Sequence, residues 1–161
     1  MNKAHVPYEG IKASGIDGAP LLDLKVIPTA GGPVMHMLRQ NSPLFMGCGE
    51  LYFSEVFVGA VKAWKQHSLQ TQHFSVPVGQ LKVVLFDDRE GSNTRGQVQE
   101  ILLGRPDNYR LLRIPPRLWY GFTAVGTGPA LICNCADIPH DPTESLRKAP
   151  DDASIPYTWQ V

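Results

Sequence analysis

The apolar runs of this chain are short. Between frequent prolines and glycines (14 and 15 of 161 residues) lie stretches such as Leu21–Pro28, Val34–Leu38, Glu50–Val58 and Ala60–His67. His73–Asp88 reads as two strands around Gly79–Gln80, and Gln97–Gly104, Tyr109–Pro116, Leu118–Gly126 and Ala130–Asp137 follow. These runs are β-branched or aromatic, several alternate apolar with polar, and turn residues separate them. No long helical periodicity interrupts them, apart from a possible short turn at Thr143–Arg147. The pattern predicts an all-β sandwich or barrel. The Pro- and Asp-rich stretch from Ile138 onward reads as a short irregular C-terminal tail outside the core. No repeat or linker divides the chain, so residues 1–161 are expected to form one domain.

The 15 basic residues equal the 15 acidic ones, which argues against a nucleic-acid partner. No apolar run is long enough to span a bilayer, and Met1–Gly10 has no secretory-signal pattern. The three cysteines, Cys48, Cys133 and Cys135, are an odd number, expected to be reduced thiols in a cytoplasmic protein.

One stretch has the spacing of a metal site. From Gly59 to Gly79 the chain matches the first motif of a cupin barrel, with glycines at both ends. Its ligand positions hold Lys65, His67 and Gln72, and the second motif, in Pro115–Tyr120, supplies Tyr120. Of these four only His67 binds a transition metal readily, so no metal is expected. On a strand, Lys65 and His67 share one face, and Tyr120 would meet them from another strand. The fold implied is a cupin jelly-roll barrel of two antiparallel sheets.

Three longer segments, "GAVKAWKQH", "LFDDREGSNTRGQVQEILLG" and "IPPRLWYGF", resemble the dTDP-4-dehydrorhamnose 3,5-epimerase family of metal-free cupins. The resemblance runs from about Leu24 to the C-terminus. It implies a cofactor-free isomerase acting on a dTDP-4-keto-6-deoxy sugar, whose ketone acidifies the hydrogens on both neighbouring carbons. Such an enzyme needs a base on one face of the sugar and an acid on the other. Residue by residue, the family's base His falls on Lys65, and the Arg that precedes it on Lys62. Its second-motif His falls on Tyr120, and its acid Tyr on Ile132. Gly31 replaces an N-terminal substrate-contacting Arg, and the Asp that supports the base aligns near Asp151 and Asp152. The resemblance also implies a homodimer that exchanges N-terminal strands, with Leu21–Pro28 as the segment.

The candidate catalytic residues are therefore Lys65, His67 and Tyr120. An amine of lowered pKa at Lys65 could abstract a proton or form a Schiff base; the plainer reading pairs it with a phosphate or a cavity acid. His67 is either the alternative base or a structural imidazole. Tyr120 could donate a proton, bind the keto oxygen, or simply line the cavity. Lys62, Gln72, Arg113 and Trp64 are the candidate substrate contacts. Strand parity turns Trp64 away from Lys65 unless the strand bulges. Arg89, Arg95 and Arg110 are further phosphate candidates, and His73 reads as a surface residue. Two other readings stay open: a catalytically inactive homologue that binds a nucleotide sugar, and a cupin turned to isomerisation or cyclisation of another metabolite.

Overall fold

A computed structural model describes residues 10–160, so the signal-peptide reading of the extreme N-terminus falls almost wholly outside it. The strands are β1 (Ile11–Lys12), β2 (Leu21–Asp23), β3 (Val26–Ile27), β4 (Val34–Met35), β5 (Glu50–Val56), β6 (Val61–His67) and β7 (Gln72–Val78). They continue with β8 (Gln80–Phe86), β9 (Val98–Gly104), β10 (Arg110–Ile114), β11 (Trp119–Val125), β12 (Ala130–Ala136) and β13 (Ser145–Arg147). A 3₁₀ turn, Pro142–Glu144, precedes β13.

The strands form a jelly roll. One antiparallel sheet has the order β1-β2-β10-β7-β12-β5, and the facing sheet β13-β6-β11-β8-β9. The inward residues of both sheets, among them Val56, Phe74, Leu85, Leu112, Tyr120, Phe122 and Ile132, make a shared buried core. Alternation along each strand produces this face, because successive side chains leave a pleated strand on opposite sides. Two sheets packed this way bury apolar area that neither could hide alone, at about 25 cal/mol per Å².

Gly59 and Gly79, the two frame glycines, both take positive φ, at 78° and 74°. Gly79 turns β7 into β8, and a Cβ there would lie 2.3 Å from the Pro129 carbonyl oxygen. The frame is thus kept by backbone geometry, independently of any metal ligand.

Two expected strands are shorter than their sequence runs. Leu21–Pro28 divides into β2 and β3, which lie in different sheets, and Val34–Leu38 is strand only at Val34–Met35. The division follows the hydrogen bonds. Leu24 N–H reaches Tyr109 O at 3.1 Å, whereas one residue on, Lys25 O accepts from His36 N at 2.9 Å. Leu21–Asp23, part of the segment expected to exchange between subunits, is paired within this chain to β1 and to β10.

The C-terminal segment is irregular beyond Arg147, as expected, but it packs on the sheet and is not outside the buried structure. Ser145–Arg147 adds β13 to the edge of β6. Beyond it, Ile155, Tyr157 and Trp159 pack with Trp64, Val84, Phe86 and Trp119 on the outer face of the five-stranded sheet. The prolines and aspartates of this stretch mask an aromatic anchor whose contacts lie far away in sequence.

Candidate active site

A bulge in β6 sets the site. Tyr120 pairs with Lys65, but Phe122 pairs with Lys62, so three steps on β6 match two on β11. In a regular strand Lys62 and Lys65 would point to opposite faces. The extra residue at Ala63–Trp64 brings both onto the face of Tyr120 and Phe122. Trp64 goes the other way. Its side chain is 1% exposed, its indole N–H donates to Pro150 O at 3.3 Å, and Tyr157 packs edge-on and Trp159 tilted against it. The bulge therefore does not turn Trp64 toward a substrate; its indole anchors the C-terminal segment.

Between the sheets opens a cavity of about 330 Å³. Lys62, Lys65, Tyr120 and Arg147 line it from the five-stranded sheet, and Tyr52 and Ser54 from β5 of the facing sheet. Lys62 spans the two, donating to Ser54 Oγ at 3.1 Å and Glu55 O at 2.7 Å. Three cationic side chains on one wall suit an anionic ligand.

Behind Tyr120 lies a buried hydrogen-bond chain. Tyr120 Oη is 3.1 Å from His67 Nε2, and His67 Nδ1 contacts Glu144 Oε1. Glu144 Oε2 also accepts the backbone N–H groups of Leu69 (3.1 Å) and Gln70 (3.3 Å). The 3₁₀ turn presents this carboxylate, and the turn is capped by Asp141, whose side chain accepts Thr143 N–H at 2.8 Å. Burial pushes the His67 imidazole toward its neutral form, against the Glu144 hydrogen bond and with help from Lys65. Burial opposes the charge on Glu144 as well, but its hydrogen bonds to His67, Leu69 and Gln70 hold it below the usual carboxylate range. The pair at neutral pH is thus a carboxylate and a neutral imidazole. The proton sits on Nδ1, donated to Glu144, which leaves Nε2 free to accept the Tyr120 hydroxyl.

His67 is 2% exposed and does not line the cavity. Its link to the cavity lining is the hydrogen bond to Tyr120, so the structure brings it beside the candidate site and not into it. Lys65 is half-buried and faces the cavity; burial, then the nearby Arg147, lower its pKa. Tyr120 is pushed well above the ordinary phenol range by burial, so its hydroxyl stays protonated.

Other expected contacts lie elsewhere. Gln72 is buried at 1% exposure, and its amide is engaged by Gln70 and Asn134. Arg113 alternates with the core residues Leu112 and Ile114, so it points outward, beside Met46 and the segment from Ile11 to Pro20. Arg110 reaches Asp23, at 3.0 Å. Arg89 is held by Asp87, with Nε and Nη2 each 2.8 Å from its carboxylate, and Ser92 and Thr94 donate to the same group. The Asp87–Gly96 hairpin motif is therefore a loop organised around one buried carboxylate. His73 is fully buried, its two ring nitrogens 2.8 Å from Cys135 O and Leu44 O, and is not a surface residue.

Three of the four metal-frame side chains, His67, Gln72 and Tyr120, are engaged by protein partners. Both His67 nitrogens and both ends of the Gln72 amide have protein partners, and the Tyr120 hydroxyl is a protonated phenol held by His67. Among the described residues no cluster of His, Cys, Asp and Glu side chains is placed to hold a metal ion.

Glu144, Arg147 and Tyr52 were not singled out in the sequence. Asp151 and Asp152, near which the family's supporting Asp aligns, lie with residues 150–159 and not in the lining of the Lys65 cavity, while the His67 imidazole is held by Glu144. The available signal for Glu144 was a turn motif, Asp141–Pro142–Thr143, just ahead of an acidic residue. Nothing local marks Arg147, which reaches the cavity only because β13 pairs with β6.

The jelly roll thus holds a cation-lined cavity beside a buried carboxylate–imidazole–phenol chain, an arrangement suited to a small anionic ligand. No family model matches the chain. It is 38% identical over 137 residues to the "probable low-salt glycan biosynthesis epimerase" of Haloferax volcanii, covering 84% of each. The dTDP sugar isomerase of Desulfovibrio desulfuricans is 57% identical, with a TM-score of 0.90 and coverage of 92% of this chain and 94% of that one. The dTDP-4-dehydrorhamnose 3,5-epimerase of Bacillus anthracis, solved with TDP bound, has the same fold at 18% identity, a TM-score of 0.82 and coverage of 95% and 90%. The chain belongs to the dTDP-4-dehydrorhamnose 3,5-epimerase and dTDP-sugar isomerase family.

Proposed function

We propose that this protein isomerises a dTDP-4-keto-6-deoxy sugar by proton abstraction beside the ketone, with Lys65 as the base. The observation that carries this is one cavity that holds Lys65 and Tyr120 on adjacent strands in register, with Lys62 and Arg147 at hand for the diphosphate. A half-buried amine beside another cation is disposed to lose its proton, as a base must. Rotation of the Tyr120 hydroxyl from His67 toward the cavity would supply a hydrogen bond to the oxygen on which negative charge develops. Glu144 fixes the imidazole that otherwise accepts that hydroxyl.

In this reading the enzyme is metal-independent, a choice supported by the engaged donors at the metal-frame positions. It works in the cytoplasm, which the odd cysteine count supports. It is a homodimer, supported by the exposed Leu51 and Phe53 on the edge strand β5. Light scattering on the purified protein tests the last point.

The decisive experiment incubates the protein with dTDP-4-keto-6-deoxyglucose in heavy water and follows C3 and C5 by NMR. Deuterium is expected at one or both carbons. Saturable binding without label at either carbon refutes catalysis and leaves a binding protein; failure to bind any thymidine nucleotide refutes the substrate class.

A further inference from the structure

Inversion at a carbon next to a ketone needs a proton taken from one face and a proton delivered to the other. Lys65 and Tyr120 stand on one wall of the cavity, both from the five-stranded sheet. The hydroxyl groups on the opposite wall are those of Tyr52 and Ser54, which alternation on β5 turns inward while Leu51 and Phe53 face out. Ser54 Oγ is already held by Lys62. Its neighbour across the ladder is Ile132, which has no proton to give, and Tyr52 lies opposite Asn134.

We propose that Tyr52 is the proton donor on the face of the sugar opposite Lys65. This rests on the reading of the cavity as an isomerase site. In the step, the Lys65 amine takes the proton from the carbon beside the ketone, and the C–H electron pair becomes the enolate. The Tyr52 O–H bond then breaks, its proton forms the new C–H bond on the other face, and a tyrosinate remains. Solvent returns a proton to Tyr52 and removes one from the Lys65 ammonium, so no oxidant or cofactor is needed. Three features support the role. Tyr52 lines the cavity yet is 37% exposed, which gives water access for reprotonation. Burial of the remainder keeps the phenol protonated, and Asn134 is placed to hydrogen-bond the tyrosinate. The charges of Lys62, Lys65 and Arg147 across the cavity further stabilise that anion.

The test is Tyr52→Phe, which keeps the ring and removes the hydroxyl, assayed beside the parent protein. Inverted product and deuterium in recovered substrate are measured in heavy water with dTDP-4-keto-6-deoxyglucose, and dTDP affinity by calorimetry. The expected result is a fall in inversion of at least ~100-fold, the range of general-acid catalysis, with exchange into recovered substrate retained and dTDP affinity changed less than about threefold. Inversion kept within about twofold overturns the proposal. So does joint loss of exchange, inversion and dTDP binding, which makes Tyr52 a binding or packing residue. No exchange by the parent protein overturns the isomerase reading itself, and the Tyr52 assignment falls with it, an outcome separate from the others.

Discussion

Replacing Glu144 by Gln changes one buried oxygen to an amide and leaves the shape almost intact. The carboxylate now accepts three hydrogen bonds, from His67 Nδ1–H and from the N–H groups of Leu69 and Gln70. Hydrogen bonds to a charged acceptor contribute about 1.5–3 kcal/mol and neutral ones about 0.5–1.5, so each loses about 1 kcal/mol. With the partly exposed Leu69 amide discounted, the variant should lose about 2–3 kcal/mol, or roughly 5–10 °C in Tm for a chain of this length. A second effect follows from geometry. The Gln carbonyl best keeps the two backbone donors, which turns its NH₂ toward His67. His67 must then accept at Nδ1 and carry its proton on Nε2, pointed at Tyr120. Urea titration measures the first effect, and ¹⁵N shifts of the imidazole report the tautomer. A stability loss below about 0.5 kcal/mol with the Nδ1–H tautomer retained would refute the account of this chain of contacts.

Lys65→Met should lower turnover by about 10²–10⁴ and abolish deuterium exchange, while Lys65→Arg fails to restore either; an unchanged rate removes Lys65 from the chemistry. For the parent protein, kcat/KM should rise with pH as the Lys65 amine deprotonates, with its midpoint below the ordinary lysine value of 10.5. Gly121→Ala would place a Cβ 2.5 Å from Ala63 Cβ and 2.8 Å from Trp159 Cζ2, and should cost about 1–3 kcal/mol in chemical denaturation by prising the C-terminal aromatic anchor from the sheet. Acidification should destabilise the fold in two steps. The His67 value lies below 6.5, so stability present above pH 6.5 is lost as pH falls from there toward the folded value. Glu144 lies below 4.5 and adds a further loss beneath that pH. Calorimetry at pH 7.5, 5.5 and 4 checks this, and a Tm that climbs on acidification contradicts it.

Much of the fold was legible because its signals are local. The longer strands show as β-rich or alternating runs and many reversals carry a Gly or Pro, and Gly79 shows why such a residue is needed: backbone from Pro129 leaves no room for a side chain. The site was legible in part. Lys65 and Tyr120 stand at recognisable motif positions, and the structure sets them side by side. Their neighbours were hidden, because what supports or faces them comes from strands distant in sequence. Glu144 lies 77 residues from His67 in a turn that reads as tail. Tyr52 reads as one more aromatic in a β-rich run until the two sheets close on each other.

The sequence by itself determined a β-rich sandwich or barrel and a cupin frame whose ligand positions hold Lys65, His67, Gln72 and Tyr120, because periodicity, turn chemistry and ligand chemistry are properties of residues and their spacing; the resemblance to a family put Lys65 at the base position. Only the tertiary structure decided the faces. The bulge at Ala63–Trp64 shifts β6 by one residue against β11, which sends Lys62 inward beside Lys65 while Trp64 keeps the outward direction that parity gives it. A pleated strand reverses the direction of every side chain at a one-residue slip, and the slip is set by pairing partners that no local window contains.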